Sequence, residues 1–86
     1  MSRERTDDAV IIDVRGLKCP LPALKTSRRM RDHAPRTRFL VEATDPLSAI
    51  DIPNLCREEG HRLLSTTSGG GVYRFEIEKG AEPIEV

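Results

Sequence analysis

The chain has 86 residues, is 37% hydrophobic and 33% charged, and carries 14 cationic and 14 acidic side chains that cancel at neutral pH. That is enough for one small domain, and no apolar run approaches the roughly 20 residues of a helical membrane span. Trp is absent and Tyr73, Phe39 and Phe75 are the only large aromatics, so the core must be mainly aliphatic.

The opening "MSRERTDD" is charged and lacks a signal-peptide pattern. Residues 1–8 are predicted to be a flexible terminus, and the default location is the cytoplasm. "AVIIDV", residues 9–14, predicts a short strand with Val10, Ile12 and Val14 on one face. A loop follows with Gly16 as its flexible point. A helix fits residues 20–34, with Pro20 at its first position, where a missing N–H costs nothing. Ala23, Ser27, Met30 and Ala34 fall on one side with Leu24 flanking, and Lys25, Arg28, Arg29 and Asp32 on the other. Pro35 closes it.

Residues 37–43 alternate Phe39, Val41 and Ala43 against Arg38, Leu40 and Glu42, a strand pattern. A second helix opens at Asp45 and Pro46 and closes at Gly60, with Ala49, Ile52 and Cys56 facing inward. Pro53 either kinks it or follows a fresh start capped by Asp51. Two strands, 61–68 and 72–79, flank a turn at Gly69–Gly71, and residues 81–86 form a second flexible terminus. The order is β-α-β-α-β-β. It predicts a two-layer α/β sandwich, with a mixed four-stranded sheet and two helices on one face, as a single domain over 9–80.

Charge is not evenly spread. Residues 15–38 carry Arg15, Lys18, Lys25, Arg28, Arg29, Arg31, Arg36 and Arg38 against Asp32 alone. Two readings stand: a solvated helix face, or a docking surface for an acidic partner or RNA.

The chemistry concentrates at "GLKCPLPALK", residues 16–25. Cys19 falls at the N-cap of the first helix. There the positive end of the helix dipole, with Arg15 and Lys18 nearby, is expected to favour thiolate over thiol. Pro20 and Pro22 stiffen the first turn and leave the Leu21 N–H as the local donor to sulfur. The alternative is that Cys19 is a small buried hydrophobe. Position 22 is proline, so no resolving thiol stands three residues on, and neither His33 nor His61 is placed by sequence as a base. Such a thiol suits sulfur carriage, where a close second thiol would displace sulfide and close a disulfide. Cys56, on a face with Ala49 and Ile52, is expected in the core. Two cysteines and two histidines without ligand spacing suggest no metal site, and no cofactor is expected. A Cys19–Cys56 disulfide stays open from sequence, but a cytosolic setting argues against it. Asp13 either orients the Cys19 loop or is a charged strand end, and Asp45 is expected to be a helix cap. The glycines at 69–71 lack a phosphate loop's context and are read as a turn.

These residues resemble the TusA/SirA family of small sulfur-carrier proteins. The motif runs Asp13, Gly16, Cys19, Pro20 and Pro22, the Cys-Pro-x-Pro signature, with Lys25 following. A second block matches at Asp45-Pro46, Asp51-Ile52-Pro53, Cys56 and Gly60-His61, and the last strand fits at Phe75, Ile77 and Lys79. The resemblance covers about residues 10–80. It implies a fold similar to the C-terminal domain of translation initiation factor three. It also implies a persulfide on Cys19, received from a cysteine desulfurase or rhodanese-type protein and passed to an acceptor protein. The pathways implied are tRNA thiolation, molybdenum cofactor synthesis and sulfur oxidation. Leu21 departs from the best-known tRNA-modifying members, which often have an acidic residue there. Arg15, Lys18, Lys25, Arg28, Arg29 and Arg31 are the candidate partner-binding residues. The rival reading is an RNA-binding or regulatory module using the same basic helix; few aromatics and a balanced charge argue against direct nucleic-acid binding.

Overall fold

The computed structural model describes residues 9–80; the flexible termini expected at 1–8 and 81–86 lie outside them. The elements are β1 (Val10–Val14), α1 (Leu21–Arg31), β2 (Arg38–Ala43), α2 (Ser48–Glu59), β3 (Arg62–Gly69) and β4 (Val72–Glu78). They form one four-stranded sheet in the order β1-β2-β4-β3. β1 pairs with β2 in parallel, and the other two pairings are antiparallel. This is the mixed sheet of an α/β sandwich that the element order predicts.

Strand alternation decides which face is covered. Ile12, Val14, Phe39, Val41, Ala43, Phe75 and Ile77 are all fully buried, and Met30 of α1 and Ile52 and Cys56 of α2 close over them. Each large apolar side chain so buried contributes about 1.5–3 kcal/mol, which makes this layer the main favourable term in so small a domain.

The helices differ from expectation in extent and phase. α1 begins at Leu21, not Pro20, and ends at Arg31, with Asp32 as its C-cap. Pro35 disfavours helical geometry in the residue before it, so the chain leaves the helix early. Its buried residues are Pro22, Thr26, Ser27 and Met30, while Leu24 and Ala34 are exposed. α2 begins at Ser48. Three successive i+3 bonds, ending with Ile50 N–H to the Leu47 carbonyl, form a tight turn that feeds it. Pro53 sits inside a continuous helix, and Asp51 lies in its first turn instead of capping a new start. Ser48, Ile52, Leu55 and Cys56 are buried; Ala49 is exposed. Ser27, Met30, Ile52 and Cys56 are buried as expected, while Thr26 and Ser48 take core positions that the hydrophobic pattern does not give them.

β3 and β4 join through a two-residue turn, with Gly69 paired to Val72. Every residue of β3 is exposed, and its register slips between Leu63 and Ser65, leaving Leu64 as an extra residue. At the other end of the sheet Phe39 pairs with both Val10 and Ile77, so the chain enters β1 and leaves β4 beside the start of β2. A latch holds the exit. Gly60 ends α2, and the His61 Nδ1 accepts the Gly80 N–H at 3.0 Å. The Lys79 Nζ donates to the His33 carbonyl at 2.6 Å. His61 thus serves in the turn and the latch.

Two predictions follow from this packing. A Cβ at position 80 would stand 1.8 Å from the Gly60 carbonyl oxygen; Gly80→Ala should lower stability by about 1–3 kcal/mol in chemical denaturation. Burial pushes the Cys56 thiol from 9.0 up to about 11. The unfolded thiol ionises first, so the stability it lends is whole below the lower value and lost as pH rises through the upper one. The stability difference between wild type and Cys56→Ala should therefore shrink between 9.0 and about 11.

Candidate functional site

The parallel pairing of β1 and β2 ends with Val14 beside Ala43. The loops that follow these strands therefore leave the sheet side by side, at the carboxyl ends where open α/β sheets carry their sites. The first loop turns at once. The Leu17 N–H reaches the Val14 carbonyl at 3.3 Å, and Gly16 takes φ 84 at the turn's third position, a backbone state that side chains other than glycine rarely adopt. The Gly16 N–H then donates to the Thr44 hydroxyl of the second loop at 2.9 Å.

Asp45 makes the second and stronger tie. Its Oδ2 accepts the Cys19 N–H at 2.7 Å, while Oδ1 accepts the Leu47 N–H at 3.1 Å. The Cys19 bond, then the Leu47 bond, hold its carboxyl below the usual carboxylate range, and the Lys18 charge adds a little. Asp45 is thus more than the helix cap expected of it: it caps the turn into α2 and clamps the cysteine loop.

Cys19 is exposed and free, and Cys56 is free and buried, with 3% of its surface accessible. No disulfide joins them. The exposed thiol is as the sequence predicts; its ionisation is not. The Cys19 Sγ donates to Asp51 Oδ2 at 2.7 Å. That hydrogen bond, then loss of hydration, then the charges of Asp51 and Asp45 push the thiol above its ordinary value. The helix end supplies only about half a positive charge, spread over several N–H groups. A full carboxylate charge in direct contact outweighs it. Pro20, not Cys19, is the N-cap of α1, and the Leu21 N–H goes to the Lys18 carbonyl at 2.8 Å instead of the sulfur.

The expected cations are engaged elsewhere. Arg15 folds back on Asp13, with Nε to Oδ1 at 2.9 Å, Nη2 to Oδ2 at 3.1 Å and its own N–H to Oδ1 at 3.1 Å. These bonds lower the Asp13 carboxyl to about 2. Asp13 therefore orients Arg15, not the cysteine. The Lys25 Nζ lies 3.5 Å from the Asp13 carbonyl. Arg28, Arg29 and Arg31 are exposed in the last turn of α1. Pro22 is fully buried in the first turn of α1, so it anchors the helix start in the core. Among the described residues no three of His, Cys, Asp and Glu converge as metal ligands.

Asp51 is the residue that sequence reasoning placed in the wrong role. The signal was present: Asp45 and Asp51 open the helix that follows β2, and Cys19 stands in the loop that follows β1, its parallel neighbour. Around them Leu21, Leu24, Leu47 and Ile50 are exposed by half or more.

Comparison with known proteins agrees with the geometry. The family profile described as Sulfurtransferase TusA matches residues 10–79. A sulfur carrier protein TusA of Pseudomonas paraeruginosa is 39% identical over 72 residues, 84% of this chain and 91% of that one. One from Pseudomonas putida is 39% identical over 77 residues, 90% of this chain and 95% of that one. The Bacillus subtilis protein YrkF is 34% identical over 73 residues, which are 85% of this chain and 40% of its own length.

The Asp45 clamp generates a prediction with a defined pH sense. Because its carboxyl is held below the ordinary 3.8, the ordering it provides is complete above that value and is lost as pH falls through the lower, folded value. The Cys19 amide should stay protected from hydrogen exchange in mildly acid solution. In Asp45→Ala it should exchange at the rate of an open loop.

Proposed function

The chain belongs to the TusA family of sulfur-carrier proteins, and from that premise we propose that Cys19 accepts one sulfane sulfur as a persulfide and relays it to a partner protein. In loading, Cys19 Sγ attacks the outer sulfur of a donor persulfide. An Sγ–S bond forms and the donor's S–S bond breaks. Its electron pair goes to the donor's inner sulfur, which takes up the proton that Sγ gives up. Handoff repeats the exchange with Cys19 as donor, so nothing is oxidised or reduced overall. The chain is a stoichiometric relay with sulfurtransferase activity.

One observation carries the reading: a single exposed thiol on a loop clamped by Asp45 and Thr44, with the chain's other cysteine buried in the core. A fixed loop loses little freedom on docking, and a buried Cys56 does not reach the persulfide to discharge it. The donor in this reading is a cysteine desulfurase or rhodanese-type protein. The acceptor belongs to tRNA thiolation, molybdenum cofactor synthesis or sulfur oxidation, in the cytoplasm. The unit that does this is the single domain 9–80, with Gly16, Pro20 and Pro22 shaping the cysteine loop and Asp13 holding Arg15 at its start. Lys18, Lys25, Arg28, Arg29 and Arg31 are the docking cations, with Arg15 turned inward on Asp13. No helix among the described residues is long and apolar enough to cross a membrane. Protein partners are favoured over RNA because Phe39 and Phe75 are fully buried and Tyr73 packs against the core, which leaves no aromatic platform for bases.

Incubation with a cysteine desulfurase and free cysteine should add one sulfur to Cys19, read by peptide mass spectrometry. Cys19→Ser should take none, and Cys56→Ser should load like wild type. A folded wild-type protein that stays unloaded overturns the relay.

A further inference from the structure

The thiol of a relay must take sulfur and also give it up, and the contact at Cys19 bears on the second step. In the empty protein Sγ–H donates to Asp51 Oδ2 at 2.7 Å. Loading replaces that hydrogen with sulfur. Sγ then has no proton to donate, and the outer sulfur, more acidic than a thiol, carries negative charge. Asp51 stands in the first turn of α2, and Asp45 is held at the entry to α2 by the Cys19 and Leu47 amides. From the β1 side, Arg15 is paired to Asp13, and from α1 Lys25 leans toward the Asp13 carbonyl. Lys18, in the cysteine loop itself, acts on Asp45. The close neighbours of the sulfur are thus carboxylates.

We propose that Asp51 is the release group of this carrier: its carboxylate bonds the empty thiol, finds no proton to accept in the loaded one, and so favours passing the sulfur on. The inference rests on the persulfide reading of Cys19. Loading is Cys19–SH plus donor–S–S⁻ going to Cys19–S–S⁻ plus donor–SH, the proton of Sγ passing to the donor's inner sulfur. Asp51 adds no atoms to that balance and acts only on the relative stability of its two sides. The same bond keeps an exposed thiol protonated between cycles, which protects it from stray alkylation and oxidation, since the thiolate is the reactive form. Asp51 is a positioning residue here.

The test separates the thiol contact from sulfur chemistry. The rate of Cys19 alkylation by iodoacetamide is followed against pH, at peptide resolution, in wild type, Asp51→Asn, Asp51→Ala and Asp51→Glu. Asp32→Asn, an exposed change at the end of α1, serves as control. Asp51→Asn and Asp51→Ala should react roughly three- to tenfold faster near neutral pH, with the profile moved to lower pH. Asp51→Glu should return toward wild type, and Asp32→Asn should match it. A merely structural role for Asp51 in the first helical turn would leave that profile in place. The same proteins are then equilibrated with glutathione persulfide and glutathione at a fixed ratio, and the loaded fraction is read by mass spectrometry. Asp51→Asn should hold several-fold more sulfur than wild type. An unshifted alkylation profile in both neutral variants, or equal loading with a shifted one, overturns the assignment of Asp51. Absence of loading in wild type and variants alike overturns the persulfide reading instead.

Discussion

The 2.7 Å bond from the Cys19 amide to the Asp45 carboxylate is the constraint on which the site depends. A charged acceptor on a backbone N–H makes a short, strong bond. This one joins the two loops beside the tie from the Gly16 N–H to the Thr44 hydroxyl. Because Asp45 also holds the Leu47 amide, the position of the cysteine loop and the entry to α2 are set by the same side chain. The bond is available only because β1 and β2 run parallel and end together at Val14 and Ala43. Sheet pairing, loop order and thiol exposure are thus one chain of cause, with the strand register at its root.

That arrangement brings a second carboxylate with it. Once α2 starts beside the cysteine loop, its first turn must face the sulfur, and Asp51 occupies that turn. An exposed cysteine at a helix mouth is usually argued to be ionised. Here the nearer groups decide otherwise, because a whole charge in contact outweighs a diffuse partial one. Arg15 does not restore the balance, since its guanidinium is committed to Asp13 on two bonds.

Strand residues were legible in the sequence because their burial has a period of two, and Phe39, Val41, Phe75 and Ile77 all fell where alternation puts them. Helix phase was less legible. Ser27, Met30, Ile52 and Cys56 are buried as the pattern places them, but Thr26 and Ser48 are buried as well, while Ala34 and Ala49 are exposed. A pattern built on hydrophobicity passes over small polar residues that pack closely in the core. The exposure of Cys19 and the burial of Cys56 were readable from motif and helical face. The protonation of Cys19 was not, because it depends on a residue 32 positions away that only the β1–β2 pairing brings into contact. Local sequence showed Arg15 and Lys18 near the cysteine and had no means to show where their charges were spent.

The register of β2 also fixes where the rest of a polypeptide attaches. Val10 and Ile77 both lie across from Phe39, four residues and about 13 Å along the strand from the end that bears the thiol. β1 therefore begins and β4 ends toward the pole opposite the sulfur. A longer protein can join such a unit at that pole without threading through the thiol loops, and this chain matches 40% of the length of a longer Bacillus subtilis relative.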